Sequence, residues 1–413
     1  MGIKAIIHSD KIVVLISQSF TSALNFWMIY YIAQNFGVAI AGEFGLAFII
    51  AVNMGSIINA ALLQPAVSIA SKQNPVRQNK TFAVVFFAQL MVCAILTVIS
   101  VGAFIILLYY GIPVQFYVLT LSLCLTLITY EAVRRQNFMT NISGLSIVSD
   151  IGKVVIVSAG FIVAGKIENN NADSLIGIYA ASNLFSSVVY MALNGRYLSL
   201  SPAYFVVMLR RLFRSGKHLV LFSSLQFVNG NLFVVMAGIL LSAYDVGIVR
   251  ICQSIIGLSN PIIQSMENII PKWIGEKIKR IGPDAAFAAY RKLFAVVTIM
   301  FAVGYTLLLT AGEKILSLFS LGDSHVAIYV LSLLCVVYLV EIVSSLLIFR
   351  YRSQEKVGNI VFGAIAGSIV SILMAYPLII SFGPIGVAGG IALSRGVSIT
   401  TLALVAKRFG RSG

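Results

Sequence analysis

The sequence predicts an all-α polytopic membrane protein of about twelve transmembrane helices. Three observations predict it: an apolar composition, apolar runs of membrane-spanning length along the whole chain, and basic residues confined to alternate connections. The chain has 413 residues, 59% of them hydrophobic and 10% charged. A soluble protein carries roughly 25% charged residues, and the mean hydropathy of +0.97 is too apolar for a water-facing surface. A soluble enzyme, a disordered tail protein and a nucleic-acid reader are thereby excluded. Each run is about 20 residues long, enough to cross a hydrocarbon core of roughly 30 Å as a helix. Membrane barrels show alternating segments of about 10 residues instead.

The expected spans are 12–34, 43–69, 82–109, 114–133, 146–165 and 175–194, then 217–242, 249–271, 292–312, 328–350, 359–381 and 386–406. The sixth is the most polar. The N-terminus lacks a small-residue cleavage site, so the first run reads as a retained helix. Net charge is +15. Twenty-four of the 29 Lys and Arg fall in one set of connections, only Lys166 and Lys314 in the opposite set, and Lys153, Arg250 and Arg395 within spans. The basic side is the cytoplasmic side, so both termini are expected there. Residues 195–216 form the longest basic connection and read as an amphipathic segment lying on the inner leaflet. They separate an N-terminal six-helix lobe (1–194) from a C-terminal one (217–413). Cys93, Cys124, Cys252 and Cys335 all fall in apolar runs and read as buried packing residues.

A repeat supports two related halves. Gly42-Glu43-Phe44-Gly45-Leu46 precedes span 2, and Tyr244-Asp245-Val246-Gly247-Ile248 precedes span 8, 202 residues later. Gly45 and Gly247 are expected to make tight turns, and Glu43 and Asp245 to complement a helix N-terminus in its first turn. Phe382-Gly383-Pro384-Ile385-Gly386 repeats the glycine chemistry without an acid. Parallel repeats of this kind occur in transporters that rock two halves about a central site.

Polar residues recur inside the spans. Arg250, Gln253, Gly257, Asn260, Gln264 and Glu267 share one face of span 8, with Pro261 placed to kink it. Gln18, Ser22 and Asn25 do the same in span 1, Asn53, Ser56 and Asn59 in span 2, and Ser223, Gln226 and Asn229 in span 7. Such faces either pack between helices or line water; together they favour a hydrated cavity between halves.

Charge in the bilayer is more informative, because it costs at least about 2.5 kcal/mol on the mildest scale. Lys153 has Asp150 three residues earlier on the same face, which reads as a neutralising pair. Arg395 follows the Gly389-Gly390 pair with no acid within a turn, so it needs a distant partner or an anionic ligand. Glu341, flanked by Tyr338 and Ser344, either pairs with a cation or carries a proton. Arg250, near the outer mouth, is placed to snorkel toward Asp245. Glu131 and Glu267, near inner ends, read as solvated or paired with Arg134, Arg135 or Lys272. His8, His218 and His325 are scattered, so no metal cluster is visible. No phosphate-binding Walker sequence is present, no catalytic constellation stands out, and no cofactor is called for.

The turns at 42–48, 244–250 and 382–394 resemble those of the Wzx-type polysaccharide flippases of the multidrug/oligosaccharidyl-lipid/polysaccharide exporter superfamily, as do the length, span count and six-plus-six layout. The resemblance implies a V-shaped, two-lobed inner-membrane protein that is not an enzyme. It implies movement of an undecaprenyl-pyrophosphate-linked oligosaccharide to the periplasmic leaflet by alternating access through a cationic central cavity. Its partners would be that substrate and membrane lipids, with room for other polysaccharide-assembly proteins, and no nucleic acid. Lys153, Arg250 and Arg395 are the positions that could supply the cations, with Gln18, Asn25, Asn53, Gln253 and Asn260 as polar lining. Glu341, Asp150 and Glu267 would serve ion coupling or charge pairing. Two other readings stay open: an ion-coupled multidrug or metabolite antiporter, and a membrane-embedded glycan polymerase.

Overall fold

The computed structural model describes residues 3–70, 73–109, 114–139, 143–167, 171–194, 202–263, 273–274, 277, 280–353 and 357–409. In chain order their helices are α1 (Ile3–Asn35), α2 (Val38–Ala61), α3 (Leu63–Ala70), α4 (Pro75–Tyr109), α5 (Gln115–Met139), α6 (Ser143–Lys166) and α7 (Ala172–Asn194). Then follow α8 (Pro202–Leu240), α9 (Ala243–Gly257), α10 (Pro283–Thr310), α11 (Gly312–Ser317), α12 (His325–Ser353) and α13 (Val357–Phe409). A helix satisfies its backbone polar groups within one segment, which hydrocarbon demands. Among the described residues nine helical stretches are long and apolar enough to cross a membrane, including the polar sixth span as Ala172–Ala192. The chain is an all-α, multi-pass membrane protein.

Three boundaries differ from expectation. The basic connection is not a separate segment: from Pro202 it runs without a break into the seventh span, as α8. Its amphipathic character survives, since Met208, Leu212 and Gly216 are buried at four-residue spacing while Arg211 and Arg214 are exposed. The reason is close packing at Gly216, where a Cβ would lie 2.4 Å from the Ala61 carbonyl oxygen. Span 8 is interrupted at Leu258–Ser259, just before Pro261. Gln264 and Glu267 lie outside the described residues. The last two expected spans form the single run α13, broken at Gly383 (φ 56°, ψ −134°). Only glycine holds that conformation cheaply, so the expected turn is there.

The repeat behaves differently in its two copies. Asp245 is in the first turn of α9, and the Ser242 hydroxyl accepts from its backbone N–H at 3.2 Å. Glu43 is not in a first turn, because α2 starts at Val38 after a turn at Gly37 (φ 96°). Gly45 and Gly247 lie inside helices rather than in turns. Gly247 has a packing role: a Cβ there would lie 2.1 Å from the Val38 carbonyl oxygen, and one on Gly42 would lie 2.1 Å from that of Ala243. The missing side chains let the starts of α2 and α9 touch backbone to backbone.

The helices gather into two compact units. One comprises Met1–Leu24 with Phe44–Ser224, the other Asn25–Glu43 with Leu225–Gly413. In the first, α5 and α6 pack on α7. Leu62, Leu63, Val84, Val85, Ile128 and Leu212 form an apolar core there, and Phe44 sets its ring edge-on against Phe161. In the second, α12 packs on α13 and α9. Its α13 folds back on itself after Gly383, so closely that a Cβ on Gly367 would lie 2.8 Å from the Ser394 carbonyl oxygen. All four cysteines are free; Cys124, Cys252 and Cys335 are buried as expected, and Cys93 is half-buried.

Candidate functional sites in the two units

In the first unit, three helices converge on one carboxylate. Tyr130 and Arg134 are four apart on α5, so they share a face. Asp150 and Lys153 are three apart on α6, and Ser17 comes from α1. Asp150 accepts hydrogen bonds from the Ser17 and Tyr130 hydroxyls, and Arg134 Nε lies 3.4 Å from it. Arg134 Nη2 donates to Ser17 Oγ at 2.8 Å, and Nη1 pairs with Glu131 at 3.3 Å. The expected Glu131–Arg134 pair is therefore present. The expected Asp150–Lys153 pair is not. The Lys153 ammonium sits instead over two ring faces, 3.9 Å from the Tyr130 centroid and 4.7 Å from that of Tyr179. The Arg134 fork reaches the carboxylate from the next helix, and the rings hold the ammonium away from it. Asp150, Lys153 and Arg134 are all buried. Among the described residues, two acids and two bases balance within the cluster. Ser17 and Arg134 were not among the expected site residues; the signal was the Tyr130/Arg134 spacing on one face of an otherwise apolar helix.

The polar stripes of spans 1 and 2 are partly absorbed by packing. Asn53 donates to the Ile49 carbonyl at 2.7 Å, and Asn59 accepts from Gln89 at 3.3 Å. Gln18 is half-buried, and so is Asn25, whose Oδ1 has no partner.

In the second unit the cations are less fully matched. Arg395, on α13 beyond Gly383, finds its acid across the helix packing. Its Nη2 lies 3.6 Å from Glu341 Oε1 on α12, and its Nη1 donates to Gln226 Oε1 on α8 at 3.0 Å. Of the two alternatives the sequence left open, the distant partner is present: local sequence holds no carboxylate, and the neighbouring helix supplies one. Arg395 Nε is buried with no acceptor. The guanidinium lies against the bare backbone of Gly230, where a Cβ would come within 2.8 Å of Nη2. Helix α8 is pinned beside α13 by Asn229 Nδ2 on the Ala364 carbonyl (3.0 Å) and Ser394 Oγ on the Asn229 carbonyl (2.9 Å).

Arg250 is buried in α9, 9% exposed. Its Nη1 donates to the neutral Gln253 side chain at 2.8 Å, and its Nε has no partner among the described residues. Snorkelling toward Asp245 does not occur. Five residues separate the two, about 140° around a helix, and Asp245 accepts from the Ser242 hydroxyl at 2.7 Å instead. Arg250 turns toward α12, where Tyr338 is its neighbour, and Asn260 sits beside the same tyrosine.

No family model and no curated protein matches the chain. Solved structures do. A multidrug resistance MATE family transporter of the MOP superfamily in its inward-facing conformation aligns over 97% of this chain and 98% of its own, with 13% identity and a TM-score of 0.70. A MOP superfamily transporter from Pyrococcus furiosus, described as having a binding pocket of reverse polarity, aligns over 98% and 96%, with 14% identity and a TM-score of 0.67. The lipid II flippase MurJ in an inward closed conformation aligns over 96% and 87%, with 14% identity and a TM-score of 0.62. The chain therefore has, over almost its whole length, the fold of the MOP-superfamily transporters.

Proposed function

We propose that this protein is a secondary transporter that moves an anionic, pyrophosphate-linked oligosaccharide lipid between membrane leaflets by alternating access. The observation that carries the reading is Arg250: a guanidinium buried in a membrane helix and, among the described residues, satisfied by a neutral amide. A charge without a counter-ion in hydrocarbon is expensive and marks a substrate or ion pathway. Among the described residues of the second unit's packed helices, Arg250 has a neutral partner and Arg395 shares one long contact with Glu341, which leaves room for a negative visitor. The glycan head cannot cross unaided, because its hydroxyls would lose their water partners.

The fold supports the reading, since one structure that shares it is a lipid flippase. The basic connections support a reading with both termini on the cytoplasmic side, in an inner membrane. Membrane lipids and other polysaccharide-assembly proteins are the expected partners. Proteoliposomes carrying a fluorescent pyrophosphate-linked oligosaccharide lipid test the proposal. The wild-type protein should equilibrate the lipid between leaflets, where protein-free vesicles do not.

A second reading is a cation antiporter. The half-exposed Glu341 carboxylate favours it, as do the multidrug transporters among the structures that share the fold. Organic-cation efflux that is lost in Glu341→Gln, with no lipid movement by the wild type, would establish that reading instead.

A further inference from the structure

We propose that Glu341 is a resident stand-in for a phosphate-class anion on Arg395, displaced when that anion binds, and that the freed carboxylate then takes up a proton. The proposal rests on the function proposed above and adds how its cationic seat is occupied and released.

The guanidinium geometry argues for it. Arginine recognises phosphate and carboxylate best through two parallel N–H groups on one edge. On Arg395 the Nη1 group is fixed by Gln226 at 3.0 Å. The other edge, Nε with Nη2, is poorly used: Nε has no acceptor, and Nη2 meets one Glu341 oxygen at the long distance of 3.6 Å. One carboxylate oxygen therefore stands where a two-oxygen acceptor fits. Glu341 is the looser member, 33% exposed against 14% for Arg395. Gly230 is the positioning residue, because a side chain there would push into Nη2.

Displacement leaves Glu341 without its cation. Among the described residues the titratable groups around it are Arg395 from α13, Tyr305 from α10 and Tyr338 on its own helix, with Arg250 of α9 beyond Tyr338. Among the described residues Arg395 is the cation that touches it. A carboxylate left in a membrane helix without that partner is an unmatched charge, which one proton removes. The step is Glu341 carboxylate plus one proton giving the acid, while the anion takes the guanidinium edge. Linkage makes the effect reciprocal, so protonation of Glu341 must tighten anion binding by the same factor.

The test uses the full chain in lipid nanodiscs, with inorganic pyrophosphate and a prenyl pyrophosphate as probes. Calorimetry in two buffers of different ionisation heat reads both affinity and proton uptake. The wild type should take up a proton beyond the ligand's own change. Glu341→Gln should bind about tenfold more tightly, because the competing charge is gone, and should lose that proton. Glu341→Gln/Arg395→Gln, which leaves a neutral pair and keeps the fold, should not bind, and Gly230→Ala should bind more weakly than wild type. Binding of both probes assigns the seat to the phosphate group; binding of the prenyl form alone assigns it to a lipid headgroup. The proposal is overturned if Glu341→Gln binds both probes no more tightly than wild type, or if the double variant binds as well as Glu341→Gln. Absence of lipid transport alongside intact exchange would sink the proposed function and leave this one standing.

Discussion

The two units carry intramembrane charge in opposite ways. In the first, Asp150 is saturated by Ser17, Tyr130 and Arg134, Glu131 takes the remaining face of Arg134, and Lys153 is boxed by two tyrosine rings. In the second, Arg250 has a neutral partner, Arg395 shares a single long contact with Glu341, and each guanidinium keeps a buried Nε without an acceptor. The same residue types thus serve two ends. A closed network holds helices together, because removal of any member strands the rest. An open one leaves binding capacity for a ligand.

The strongest way to break this contrast is Asp150→Asn. It removes the charge and turns one of the two accepting oxygens into a donor facing other donors, and should cost about 3–5 kcal/mol, the usual price of stranding a buried partner. A fall in the thermal midpoint of the detergent-solubilised protein would show it. An unchanged midpoint would end the claim that the first cluster is structural. Arg250→Gln should behave in the reverse sense. Lipid transport should drop by about tenfold or more, while thermal stability holds or rises, since an unmatched buried charge is removed. A destabilised Arg250→Gln with full transport would place Arg250 with the structural charges. Tyr179→Leu is the finest probe. Losing one ring face over Lys153 should cost about 1–2 kcal/mol, and Tyr179→Phe, which keeps the face, should cost clearly less. Equal losses would assign the effect to the hydroxyl.

Periodicity within one helix made part of this legible. Apolar runs marked the helices, and Lys153, Asp150, Arg250, Arg395 and Glu341 stood out because charge is rare in such runs. Their partners were not legible. Asp150 has a cation three residues away, yet it binds Arg134 and Ser17, the latter 133 positions distant. Arg395 has no local acid and meets Glu341 from another helix. Glu43 was misplaced for a related reason. Glycine at Gly42 and Gly45 looks like a turn, but the turn is at Gly37 and Gly42 serves the contact with Ala243 and Gly247.

Composition and run length by themselves determined that the chain is a bundle of membrane helices, because a backbone in hydrocarbon has no other open-ended solution. They also determined which residues are too polar to face lipid. Only the tertiary structure decided who neutralises whom. Ion pairs and ring contacts depend on which helix faces another and in what register, and spacing along one helix constrains neither.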